Sequence, residues 1–216
     1  MKDIPVFTAS NGIATLILRE IPHSGRAYVL LRAVWTNASD LLDECRGFCR
    51  ACGAEEIYAA WDAEELPAQH AYDLLEMTCP KADLPQPTQA VRLVELCPDN
   101  GKQYLDIYNR CFQSVPGAQT YGNQDLQRLY GEDLAYLAEV DGQFAGIAEI
   151  SKDTLEGIGV LPEFHGLGYH LALSVFDRIP SAILHLKVAS TNERALSLYD
   201  RLGFHVHGVA HRWYLL

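Results

Sequence analysis

Basic residues are scarce in this sequence. Seventeen Lys and Arg stand against 28 Asp and Glu, a formal charge of -11 over 216 residues. Binding to nucleic acid without regard to sequence needs a basic face, so this balance argues against it. No run approaches the roughly 18 apolar residues needed to span a bilayer. The first residues, Met1-Lys2-Asp3-Ile4-Pro5, lack the charged-then-apolar layout of a signal peptide. These absences predict a soluble, cytoplasmic protein with no membrane or nucleic-acid partner. No Cys-x-x-Cys lies near His185, His205, His207 and His211 in sequence and no His-Glu-x-x-His contains them, so no metal is expected.

Hydrophobic residues make up 49% of the chain, enough to bury a core. The acidity is uneven. Residues 1–150 hold 11 basic and 22 acidic side chains, whereas residues 151–216 hold six of each. The six cysteines, in a chain of this length without an export signal, do not read as a disulfide framework. Cys45-x-x-x-Cys49-x-x-Cys52 has the spacing of a radical-SAM iron–sulfur motif. The same spacing puts three thiols on one helical face with Leu41, Leu42 and Phe48, which a buried helix explains well.

Taken in order, residues 12–20 and 27–35 read as strands around a turn at 22–25. A helix capped by Asn37, Ser39 or Asp40 runs to Cys52 and ends at Gly53. Strands at 57–61 and 72–79 follow. Three prolines in residues 80–87 predict a linker, with a first portion at 1–80, a linker at 81–87 and a second domain at 88–216. The second domain reads as a strand at 90–96, a helix at 99–112, a loop at 113–122 and a helix at 123–130 capped by Asn123. Strands at 134–140 and 143–150 flank Asp141-Gly142, a strong hairpin signal. A strand at 154–160, a helix at 166–178, a strand at 182–188, a helix from Asn192 to Leu202 and a hairpin around Gly208 complete it. Leu31 to Asn37 echoes Leu186 to Asn192, which points to a degenerate internal repeat. Unrelated βαββ units also look alike, so the echo alone does not decide.

One stretch organises the second domain. A strand ends at Val160, Pro162 closes its ladder, Gly166 and Gly168 follow, and an apolar helix begins. Strand, glycine loop and helix together suit an anionic phosphate. The glycines allow close backbone approach, and the first-turn amides have no partners inside the helix.

These residues carry a family resemblance. Val160, Pro162, Gly166 and Gly168 match the cofactor motif of the GNAT superfamily of acyl-CoA-dependent N-acyltransferases. His165 stands where Arg or Gln is usual, and His170 where a small residue is usual. A second ordered motif is matched by Asn192, Ala195, Tyr199, Leu202, Gly203 and Phe204. Residues 88–216, about 60% of the chain, thus resemble that family. The resemblance implies an α/β fold, a GNAT-like mixed central sheet flanked by helices. Its N-terminal β-β-α-β-β portion would be a degenerate half-repeat.

The implied activity is acyl transfer from acetyl-CoA, as co-substrate, to a primary amine by direct attack in a ternary complex. By resemblance, the backbone around Ile158, Val160 and Leu161 would hold pantetheine. The amides of His165, Gly166, Leu167, Gly168, Tyr169 and His170 would hold pyrophosphate, where the helix dipole favours anions. Asn192 would bond the cofactor or cap its helix. Tyr199 would be the general acid or a core aromatic. Glu156, and after it Glu149, are the candidate bases, each also readable as a solvent-facing strand residue. The acceptor would be a small molecule or a peptide amine. Homodimers are common in the family, and the oligomeric state stays open. The rival class is a catalytically degenerate regulatory module that binds CoA or another small molecule in the same cleft.

Overall fold

The structure is a computed structural model and describes residues 4–130 and 134–216. Its elements are β1 (Val6–Ala9), β2 (Gly12–Ile17), α1 (Ile21–Ser24), β3 (Arg26–Val34), α2 (Ala38–Ala51), β4 (Glu56–Ala60) and β5 (Gln69–Pro80). Then come β6 (Arg92–Glu95), α3 (Gly101–Phe112), α4 (Asn123–Leu129), β7 (Leu134–Val140), β8 (Gln143–Ser151) and β9 (Thr154–Val160). The chain ends with α5 (Leu167–Arg178), β10 (Ile183–Ala189), α6 (Glu193–Arg201) and β11 (His205–Leu215). Two compact units result, residues 75–208 and residues 1–74 with 209–216. The boundaries differ from the expected linker because β5 and β11 each contribute to both units. Residues 81–87 begin as a 3-10 turn, Lys81–Asp83. Lys81 Nζ ties that turn to the end of α5, donating to the carbonyls of Asp177 (3.0 Å) and Ile179 (2.6 Å).

In the 75–208 unit the strand order is β11-β5-β10-β9-β8-β7-β6. The β6–β7, β7–β8 and β8–β9 pairs are antiparallel, and β9–β10 is parallel through α5. Asp141 and Gly142 turn the β7–β8 hairpin with φ of 51° and 77°, the positive pair a tight two-residue turn requires. One sheet face packs on α5, where Leu171, Val175 and Phe176 meet Ala148, Leu155, Leu184, Leu186 and Val188. On the other face Tyr104, Ile107 and Tyr108 of α3 and Leu126 of α4 pack on Leu137 and Ile147. Gly122, not Asn123, is the N-cap of α4, and Asp125 reaches back to accept from the Gly122 amide at 2.9 Å.

In the other unit the order is β1-β2-β3-β4-β11-β5. β1–β2 and β2–β3 are antiparallel, and β3–β4 is parallel through α2. Asn37 caps α2, its side chain accepting from the Ser39 amide at 2.9 Å. Cys45 and Cys49 are buried on the core face with Leu41 and Leu42, while Cys52 is exposed. Burial pushes the Cys45 thiol up to about 12 and that of Cys49 up to about 11. The turn expected at 22–25 is α1, one helical turn closed by Gly25 in the left-handed region.

The expected C-terminal hairpin is instead the single strand β11. Gly208 is not among the positive-φ glycines, so it makes no turn, and it lies beside the Glu76 carboxylate. Asn37 and Asn192 are both N-caps, as their echo implies. The strand-pairing pattern, however, likens α2 to α5. Each follows a run of antiparallel pairings, two before α2 and three before α5, and bridges a parallel pair, β3-α2-β4 in one unit and β9-α5-β10 in the other.

Candidate active site

The site begins with a pairing that stops. β9 and β10 form a parallel pair over two rungs only, Thr154↔His185 and Leu155↔Leu186. β9 continues to Val160 and β10 to Ala189 without further rungs between them. The strands therefore part, and the backbone polar groups of 157–160 that point away from β8 face a gap rather than a neighbouring strand. In the 1–74 unit the parallel pair β3–β4 holds five rungs, from Arg26↔Glu56 to Leu30↔Ala60. No such gap opens between those two strands.

At the mouth of the gap β9 ends, and Leu161-Pro162-Glu163-Phe164-His165-Gly166 leads into α5. Gly166 is the N-cap with φ 86° and ψ -16°, in the left-handed region that favours glycine, and no side chain caps the helix. A Cβ on Gly166 would touch nothing within 4 Å, and one on Gly168 only Leu198 Cδ2 at 3.9 Å. The helix mouth is thus open to a ligand. The Leu161 amide is engaged by Ala145 O (2.9 Å) and the Leu167 amide by Phe164 O (3.3 Å). That leaves the first-turn amides of Gly168 and Tyr169 as donors with no acceptor inside the helix. His165 is exposed. Tyr169 stands edge-on to His170, and the Arg201 guanidinium lies 4.9 Å over the Tyr169 ring. His170 Nδ1 is buried with no hydrogen-bond partner among the described residues. Such an atom is costly unless a ligand or water satisfies it.

Ile158 and Val160 are half-buried and pack against the α5-side core. A β-bulge explains how. Ile150 stands opposite Leu155 and Glu149 opposite Gly157, which leaves Glu156 as the extra residue. Regular alternation would align Glu156 with Ile158 and Val160; the bulge breaks that alternation, and Glu156 is exposed. Glu149 behaves differently. It is 5% exposed and accepts hydrogen bonds from Tyr104 Oη (2.5 Å) and Tyr121 Oη (3.1 Å). Tyr121 stacks on Tyr108, 3.7 Å between ring centroids, and Arg128 donates to its Oη at 3.3 Å. Burial, with the Glu149 charge next, pushes the Tyr121 phenol up to about 12 and Tyr104 higher. Both therefore remain donors to the carboxylate at neutral pH.

Two glycines let α3 sit close against this side of β9. Gly157 pairs directly with Glu149. A Cβ on Gly159 would fall 2.6 Å from Cys111 Cβ, so α3 approaches β9 closely only because residue 159 is glycine. Across the sheet, Tyr199 of α6 is buried in the α5-side core, its ring 5.9 Å from Phe204. Burial alone raises its phenol above the ordinary tyrosine value. Asn192 caps α6, its Oδ1 accepting from the Ala195 amide at 3.2 Å.

The structure thus gathers Gly166, Gly168, Tyr169 and His170 at one helix mouth beside the opened strand, and sets Glu149 on the face towards α3. Tyr104, Tyr121, Arg128 and Arg201 join the site without a sequence signal of their own. Tyr104 and Tyr108 carry the spacing of a core stripe, and nothing local marks Tyr121 as the partner of a carboxylate 28 residues on.

Residues 101–204 match the family model described as Acetyltransferase (GNAT) family. This segment belongs to the GNAT family. Among curated proteins no sequence matches the chain significantly. Solved structures share the fold along nearly all of it. A conserved protein of unknown function from Staphylococcus epidermidis covers 99% of this chain and 93% of its own, at TM-score 0.64 and 17% identity. A GCN5-related N-acetyltransferase from Sphaerobacter thermophilus covers 94% and 76%, at TM-score 0.60 and 14% identity. A tandem GNAT protein from the clavulanic acid biosynthesis pathway covers 97% and 80%, at TM-score 0.54 and 17% identity. Among the described residues no helix of this GNAT-domain protein is long and apolar enough to cross a membrane. Nor is any group of three or more His, Cys, Asp or Glu among them arranged to hold a metal ion.

Proposed function

We propose that this protein is an N-acyltransferase that moves an acetyl or related acyl group from acyl-CoA to a primary amine. The observation that carries the reading is the two-rung pairing of β9 with β10, which opens a slot beside an uncapped, glycine-lined helix mouth. The backbone groups of 157–160 that face away from β8, around Ile158 and Val160, receive the pantetheine amides. The amides of Gly168 and Tyr169, at the positive end of α5, bind the pyrophosphate oxygens. The buried Nδ1 of His170 and the Arg201 guanidinium supply further donors, so the residues present fit the cofactor.

When bound, acyl-CoA supplies a thioester carbonyl at which the C–N bond forms and the C–S bond breaks. The chain's own residues manage the protons. Glu149, oriented by Tyr104 and Tyr121, accepts the proton the amine loses, directly or through water. Tyr199, kept protonated by burial, donates to the departing thiolate. The products are an amide and free CoA. Glu156, exposed at its bulge, is the weaker candidate for the base. Asn192 serves as a cap.

The 1–74 unit is a degenerate GNAT-like half in this reading. Its β-β-β-α-β order parallels that of the second unit, its parallel strands stay paired, and the mouth of α2 is filled by Asn37. The likeness to a tandem GNAT protein along 97% of the chain supports this.

Calorimetry with acetyl-CoA and with CoA tests the proposal, with Gly168→Leu as the comparison. A Cβ at 168 meets only Leu198 at 3.9 Å, so the variant folds while its side chain fills the phosphate position. Binding to the native chain that drops at least about tenfold in the variant is expected. Equal binding to both, or none to either, defeats the reading.

A further inference from the structure

We propose that a groove over β11, β5 and β10 is the docking site of a small cationic amine, the acceptor in the acyl-transfer reading on which this inference rests. The groove encloses about 350 Å³ and is lined by Glu76 and Thr78 of β5, Asp153 before β9, His185 and Lys187 of β10, and His207 of β11. The side chains from β5 and β10 share a sheet face because their alternates, Met77, Cys79, Leu184 and Leu186, are buried in the α5-side core. Glu149 points to this face too. It stands opposite Gly157 and alternates with Ala148, which is buried in the α5-side core.

The place of the groove relates it to the slot. Thr154↔His185 and Leu155↔Leu186 are the last rungs before β9 and β10 part, so the groove lies where the slot begins. Its volume is that of a small-molecule site, at the lower end of the usual range of roughly 300–1,000 Å³.

Charge selects the ligand. Lys187 Nζ lies 3.6 Å from Glu76, so that pair is internally balanced. Asp153 accepts from Thr154 Oγ1 at 3.0 Å and lies 3.8 Å from His185 Nε2. His205 is engaged with Thr78 at 3.4 Å, whereas His207 lines the groove itself. Two carboxylates against one lysine leave the groove negative when the imidazoles are neutral. An ammonium finds Asp153 and an imidazole able to accept, while a carboxylate ligand finds only a lysine already matched.

The test follows the ring signals of His185, His207 and His165 by NMR while 1,4-diaminobutane is added, with succinate as the anionic control. Saturable shifts at His185 and His207, none at His165, and none with succinate are expected. Asp153→Asn weakens the diamine by about fivefold, the scale of one exposed charge pair. Absent shifts, equal shifts with succinate, or an unchanged affinity in Asp153→Asn overturn the proposal. Calorimetry with acetyl-CoA on the same samples separates the two ideas. Intact acetyl-CoA binding without diamine binding removes only the groove, whereas diamine binding without acetyl-CoA binding removes the acyl-transfer reading.

Discussion

In the proposed reaction Glu149 and Tyr199 divide the proton chemistry, and each makes a separate prediction. Glu149→Gln keeps the shape of the side chain and removes its charge. We expect kcat to fall by about 10²–10⁴, the range for a lost general base, with acetyl-CoA affinity by calorimetry unchanged within about twofold. A variant with native kcat would take Glu149 out of the mechanism. Tyr104→Phe leaves the carboxylate in place but removes its 2.5 Å donor. Unsatisfying a buried acceptor costs about 1–3 kcal/mol, which urea unfolding would read as a lower midpoint. Tyr199→Phe removes the acid while keeping the ring on Phe204, so kcat should fall with little change in melting temperature. Unchanged turnover there would make Tyr199 a core aromatic only. The thiols add a pH effect. Burial raises Cys45 from 9.0 to about 12, and Cys49 and Cys111 from 9.0 to about 11. Between these values the unfolded chain has lost protons that the folded chain retains, so stability falls as pH rises above about 9. Cys45→Ala should flatten that decline in unfolding curves recorded from about pH 8 to about pH 11.

At the scale of elements, the glycines decide what can approach what. A Cβ at Gly159 would overlap Cys111 Cβ at 2.6 Å, so Gly159→Ala must push α3 from β9. Overpacking of this kind costs about 1–3 kcal/mol, and a melting temperature equal to the native value would show that the helix yields freely. The glycine loop and α5 were legible in the sequence because their signals are local, a proline ending a strand and glycines opening a helix. The Asp141-Gly142 hairpin and the Asn37 and Asn192 caps were legible for the same reason. Three features were not. The bulge at Glu156 depends on register with β8, which no residue type announces. The Tyr104–Glu149–Tyr121 network joins α3, β8 and a loop that are distant in sequence. Gly208 resembles a turn residue in isolation, yet β11 runs extended through it.

At the scale of the molecule, the second unit is not contained in residues 88–216. Its sheet order places β5 between β11 and β10, and β5 comes from the chain before the proline-rich stretch. Met77 and Cys79 of that strand belong to the α5-side core. A fragment of residues 88–216 would therefore lack a central strand, leaving two unpaired edges and an apolar face with a missing row of side chains. We expect such a fragment to show no cooperative thermal transition by circular dichroism and no acetyl-CoA binding by calorimetry. The full chain should unfold cooperatively and bind one acetyl-CoA, because β3 and β4 stay paired over five rungs and offer no second slot. A folded, acetyl-CoA-binding 88–216 fragment would show that β5 is dispensable. A stoichiometry of two on the full chain would show that the first unit has kept a site.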